Sequence, residues 1–207
     1  MRPLPRLLAY ADDRIAVLDD LGVRAAALAA IGPAMALVAR RPAGSADQLA
    51  ALASRFAALA EPPMAGVLVT GRIDIALATR ANGVILRQQD LAVEDVRSLC
   101  TAQRGALIFR SVHSFAEAVR AASEGVDALV VGSIWPTATH PDGAVAGTTL
   151  LARVVSLGVP TFAIGGVTAA RAREAAAAGA WGAAAVSALW DAPDPHLSAM
   201  ELLQPWN

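Results

Sequence analysis

Eight short apolar runs, spaced along the whole chain, limit its fold more than any other feature: Leu7–Ala11, Ala34–Ala39, Gly66–Val69, Gly83–Leu86, Ala106–Phe109, Ala128–Val131, Thr161–Ile164 and Ala183–Val186. Each is continuous rather than alternating, as expected of strands buried on both faces of a parallel sheet. Segments with helical spacing lie between them, among them Ala46–Leu59, Leu91–Cys100, Phe115–Glu124, Thr149–Leu157 and Ala169–Ala178. Capping residues precede several of these (Ser45, Ser114, Thr168), and glycines close others (Gly125, Gly158, Gly179). Alternation of strand and helix with short joins predicts a parallel sheet, and eight repeats close most naturally into a barrel. An open doubly wound sheet is the alternative, but AYADDR after the first run lacks the glycine fingerprint of a dinucleotide fold. With 207 residues, the expected architecture is a single compact (β/α)8 TIM barrel, residues 1–207 forming one domain.

Composition narrows the chemistry. A net charge of −1 gives no polyanion-binding face, so no nucleic-acid partner is expected. All 17 basic residues are arginine, which excludes lysine Schiff-base chemistry. Cys100 is the lone cysteine and cannot form an internal disulfide; it reads as a small core residue in a reducing compartment. The N-terminal stretch is too short in apolar residues for a signal peptide, and no apolar run is long enough to span a membrane. A cytoplasmic protein with no membrane partner is the expectation.

Active-site residues of such a barrel stand at the C-terminal ends of its strands. Taken in order, these are Asp12 and Asp13, Arg40, Thr70, Gln88 with Asp90, Ser111 with His113, Ser133 through His140, Gly165-Gly166, and Ser187. Gly165-Gly166 ends the seventh run and Ser187 the eighth, the place of a phosphate cup made from backbone N–H groups. A lone Gly-Gly elsewhere would be only a tight turn. The one long connection, Ser133–Thr148, is expected to be a functional loop. Its Thr137 and Thr139 offer hydroxyl donors to phosphate oxygens, and His140 adds charge when protonated. His113 is a candidate proton carrier or, alternatively, part of the cap of the next helix. Asp90 is a weak candidate ligand for Mg²⁺ and equally a plain helix N-cap.

Three stretches then carry a resemblance: GRIDIALATRANGVILRQQDL, RSVHSFAEAVRAASEGVDALVVGSIWPTATHPD, and VPTFAIGGVTAARAREAAAAGAWGAAAVSALW. The P-T-x-T loop, the I-G-G turn and the V-S pair make the chain, from about Gly66 to Pro195, resemble the thiamin phosphate synthase/TenI superfamily. The resemblance implies a (β/α)8 barrel, usually a homodimer, acting on a phosphorylated thiazole. It implies that Thr137, Thr139, Gly165, Gly166, Val186 and Ser187 hold the phosphate, with Ser111 near the thiazole or pyrophosphate. Arg40, Gln88 and His140 are further substrate-binding candidates, and so is Arg87, a residue foreign to the superfamily pattern that either salt-bridges a substrate carboxylate or fills the vacant pyrophosphate space.

Two activities occur in that superfamily. One joins the thiazole phosphate to a pyrimidine pyrophosphate with Mg²⁺; the other is an aromatizing tautomerisation of a thiazole carboxylate phosphate, with a histidine as acid/base. This chain departs from the joining pattern. Val38 and Pro42 stand for the Gln and Lys of Q-L-R-x-K, Thr70-Gly71 for Asn-Asp, and Ile85 and Arg87 for the His and Gly of H-x-G-Q-x-D. Lost metal ligands and a lost cation each cost several kcal/mol of transition-state stabilisation, of order 3 or more. The expectation is therefore a TenI-like thiazole tautomerase with His113 and Ser111 at its centre and no required cofactor. The alternatives are a thiamin phosphate synthase, needing Mg²⁺, and a non-catalytic phosphate-binding paralogue.

Overall fold

A computed structural model describes residues 4–60, 65–100, 105–137 and 145–207. Its strands are β1 (Leu7–Ala11), β2 (Met35–Ala39), β3 (Gly66–Thr70), β4 (Gly83–Leu86), β5 (Leu107–Val112), β6 (Ala128–Val131), β7 (Thr161–Ile164) and β8 (Gly182–Ala185). Each pairs in parallel with the next, and β8 returns to β1 with Leu7 opposite Ala183, closing the barrel. Between the strands lie α1 (Leu21–Ala29), α2 (Ala46–Ala57), α3 (Ile73–Ala78), α4 (Val93–Leu99), α5 (Phe115–Ser123), α6 (Gly147–Val155) and α7 (Ala169–Ala177). After β8 come the short α8 (Ser187–Trp190) and α9 (Pro195–Leu203). The (β/α)8 expectation holds.

Period-two geometry divides every strand between two cores. Leu8, Val38, Leu68, Ile85, Phe109, Val130, Phe162 and Ala184 fill the barrel interior, where the Phe109 and Phe162 rings lie 5.6 Å apart. Their neighbours in sequence, such as Leu7, Leu37, Val67, Val84 and Ile108, pack outward against the helices. Helix starts follow the predicted caps. Ser45 accepts from the Gln48 amide while the Gln48 side chain accepts from the Ser45 amide; Ser114 and Thr168 cap α5 and α7.

Of the boundaries that differ from the sequence expectation, those of β5 and β8 matter most at the rim. β5 runs on to Val112, because Arg110, which interrupts the apolar run, points outward and is satisfied beneath the helices. Ser111 is therefore an inward strand residue rather than a loop residue. At the other edge β8 starts at Gly182 and stops at Ala185, so Val186 has left the sheet with ψ near −86°.

Candidate active site

At the C-terminal mouth the strand ends enclose a cavity of about 420 Å³. Its interior position follows from β8, whose Ala184 and Ala185 leave space where larger strands fill the barrel. One wall is main chain. Gly165 and Gly166 have φ of 97° and 64°, so both turn their backbone in a way that suits glycine alone. A Cβ on Gly166 would stand 2.3 Å from the Pro136 carbonyl oxygen, and one on Gly165 would stand 2.6 Å from the Ser133 Cβ. The segment after β6 is thus pressed onto the end of β7, held there by Ile134 N–H to Ile164 O (2.8 Å) and Trp135 N–H to Gly165 O (3.3 Å).

Among the described residues, the amides of Gly165, Gly166, Val186 and Ser187 donate to no protein acceptor. All four residues line the cavity, as Thr137 does. Amides left without protein acceptors at residues lining one cavity are candidates for binding an anion. Arg171, which the sequence reading did not single out, donates to the Gly166 carbonyl at 2.6 Å and so fixes that peptide plane from behind. Thr139 and His140 lie outside the described residues.

Ser111, on β5, and His113, just after it, also line the cavity. The His113 Nδ1 is bonded to the Gly132 carbonyl. A carbonyl can only accept, so Nδ1 carries the proton and the neutral ring keeps its lone pair on Nε2. The His113 amide donates to the Glu117 carboxylate at 2.8 Å, and Ser114, not His113, caps α5. The capping alternative for the imidazole is thereby removed.

Tyr10, a second residue that the sequence reading passed over, places its phenol in the same cavity beside Arg40. Burial pushes that phenol well above its usual range, with Arg40 pulling partly back, so it stays a hydroxyl. Arg40 makes no ion pair among the described residues. Asp12 also lines the cavity and accepts the amides of Arg14 and Ile15. Asp13 turns away to Arg41 Nε (2.7 Å) and the Ala43 amide (3.0 Å).

The corner after β4 is occupied differently from the sequence expectation for Asp90. Gln88 and Arg87 line the cavity, but Asp90 does not. Its Oδ2 accepts from the Arg87 amide (2.7 Å) and Nε (3.2 Å), and its Oδ1 accepts from Arg87 Nη2 (2.9 Å). Gly71, with φ of 72°, faces this pair so closely that a Cβ there would lie 3.0–3.1 Å from Asp90 Oδ2 and the Arg87 guanidinium. From below, Arg110, only 6% exposed, donates to the carbonyls of Arg87 (2.9 Å) and Leu91 (3.2 Å) and to Glu124 (2.8 Å). Mg²⁺ demands an octahedron of oxygens. With both Asp90 oxygens engaged by Arg87 and a glycine opposite, the corner after β4 offers that ion no uncommitted carboxylate.

Known proteins were compared with this site and fold. The family profile described as thiamine monophosphate synthase matches residues 11–189. A thiamine-phosphate synthase of Caldivirga maquilingensis is 36% identical over 169 residues, 81% of each chain. One from Thermosynechococcus vestitus is 38% identical over 161 residues, 77% of this chain and 43% of that longer protein. The solved thiamine phosphate pyrophosphorylase from Pyrococcus furiosus superposes with a TM-score of 0.79 at 30% identity, covering 97% of this chain and 94% of that one. Profile, relative and superposition together show that the chain belongs to the thiamine monophosphate synthase/TenI superfamily.

Proposed function

We propose that the cavity takes a phosphorylated thiazole of thiamin biosynthesis, with its phosphate on the amides of Gly165, Gly166, Val186 and Ser187, and that His113 moves protons on it. The reaction is an aromatizing tautomerisation of a thiazole carboxylate phosphate. A proton leaves one carbon, another is returned elsewhere on the same conjugated system, and no atom or electron is gained or lost. His113 carries the proposal: its Nδ1–H is fixed on the Gly132 carbonyl, which leaves Nε2 as the base. Ser111 beside it supplies a hydroxyl able to donate or accept.

A second reading has its own support. The relatives at 36% and 38% identity are named thiamine-phosphate synthase, and resemblance alone favours the joining reaction over tautomerisation. Against it stand the residues themselves, since pyrophosphate departure needs cationic help and the one carboxylate of the β4 corner, Asp90, is already engaged by Arg87. Pairing of two copies belongs with either reading.

The test is proton exchange in D₂O, followed by NMR on the thiazole carboxylate phosphate. Deuterium uptake lost in His113→Asn, with phosphate binding kept, is the expected result. Thiamin phosphate formation from the two halves, dependent on Mg²⁺ and unaffected by His113→Asn, would replace tautomerisation by joining. Tight binding with turnover of neither substrate would leave a binding protein only.

A further inference from the structure

The mismatch at the β4 corner has a positive content. We infer that Arg87, clamped by Asp90 over Gly71, is a built-in cationic fork that reads a carboxylate on the ligand and does so without a metal. The inference rests on the proposed thiazole ligand for the identity of the molecule, although the recognition chemistry does not.

Three observations converge. Asp90 takes only the Nε/Nη2 edge of the guanidinium, and Nη1 donates to nothing among the described residues. The Nη1/Nη2 edge is therefore unused on a side chain that lines the cavity and is 51% exposed, while its clamp Asp90 is 9% exposed. A free guanidinium edge matches the two oxygens of a carboxylate. Preorganisation is the second point. The Asp90 amide bonds back to the Arg87 carbonyl at 3.1 Å, and buried Arg110 holds the carbonyls of Arg87 and Leu91, so the fork does not have to be ordered on binding. Third, Gly71 leaves the pair in place, because a Cβ there would press within 3.0–3.1 Å of both its members and the φ of 72° disfavours any side chain.

Charge decides between ligands. Asp90 already balances one positive charge, so the pair offers directed hydrogen bonds with little net charge. That suits a carboxylate monoanion and is poor for a pyrophosphate, which needs its several charges neutralised. The fork is a specificity device for a phosphate ester that also carries a carboxylate.

The experiment is calorimetric titration in EDTA with thiazole carboxylate phosphate and, separately, with the same thiazole phosphate lacking the carboxylate. Wild-type protein should prefer the carboxylate by about tenfold or more. Arg87→Gln should abolish that preference while leaving affinity for the plain phosphate within about twofold, and Arg87→Lys should fall between. An unchanged preference in Arg87→Gln, or an equal loss for both ligands, overturns the inference. Mg²⁺ in place of EDTA should change nothing. Tightening that Asp90→Asn removes and Arg87→Gln retains would make Asp90 a metal ligand and also overturn it. If neither thiazole binds, the proposed function fails by itself, and the same comparison is read with phosphoglycolate against ethyl phosphate. A preference there that Arg87→Gln removes sustains the fork, and none sinks it.

Discussion

Replacing Gly166 by alanine tests the phosphate cup directly, because two separate penalties meet at that residue. Its φ of 64° is left-handed, which costs an L-residue about 1–2 kcal/mol. Its new Cβ would also stand 2.3 Å from the Pro136 carbonyl oxygen, whereas carbon–oxygen contacts settle at about 3.3–3.6 Å. The segment after β6 must then retreat by roughly 1 Å, and such overpacking adds about 1–3 kcal/mol. Gly125→Ala is the matched control. Its φ is 75° but no atom lies within 4 Å of the built Cβ, so it pays the backbone penalty alone. Both substitutions stiffen the unfolded chain equally, so their difference in urea unfolding isolates the close approach. We expect Gly125→Ala to lose about 1–2 kcal/mol with phosphate binding unchanged, and Gly166→Ala to lose about 2–4 kcal/mol. Because the displaced segment carries Thr137 and the glycine carries a cup amide, inorganic phosphate affinity measured by ³¹P NMR should drop about tenfold or more in Gly166→Ala. Equal stability of the two variants, with undiminished phosphate binding in Gly166→Ala, would refute the reasoning.

Other substitutions probe separate parts of the molecule. Thr70→Val replaces a buried hydroxyl that has no partner among the described residues; the ligand-free protein should be unchanged or stabilised by up to about 1 kcal/mol in thermal unfolding. Ser45→Ala removes the capping box of α2 and should cost about 1 kcal/mol by urea titration. Burial works to raise the Asp13 pKa, but the Ala43 amide and Arg41 outweigh it and leave it below the usual value. Its contribution is therefore complete above the unfolded-state pKa of about 3.9 and disappears as pH falls through the lower folded value. Asp13→Asn should accordingly cost about 1 kcal/mol at pH 7, with the gap to wild type closing in acid. Burial raises the Cys100 thiol despite Arg97, so its labelling by a disulfide reagent at pH 7 should be slow until the protein is unfolded.

What the chain's order of residues revealed, and what it hid, follows from range. Strands buried on both faces write themselves as unbroken apolar runs, so the barrel was legible almost to the residue, and caps such as Ser45 and Thr168 act on amides three positions away. That Gly165, Gly166 and Ser187 line the cavity mouth was legible because they fall at strand ends. Partnerships across the barrel were not. Arg110 looked like the end of β5 because its acceptors, Arg87, Leu91 and Glu124, come from other elements. Arg171 behind Gly166 and Tyr10 beside Arg40 were missed because each sits within an ordinary helical or apolar pattern. Arg87 could be read as a substrate-binding candidate, but nothing local announces that Asp90 grips it and that Gly71 lies against the pair.

The hold of Arg110 on the chain after β4 also governs how the mouth of the barrel shares its time. Lifting that corner breaks two hydrogen bonds from the buried Arg110 guanidinium while its Glu124 pair stays, at a cost of about 3–6 kcal/mol, so roughly one molecule in a hundred to one in tens of thousands has it raised at any instant. A visitor to the cavity meets this side as a standing wall, and must fit its own shape to it on arrival.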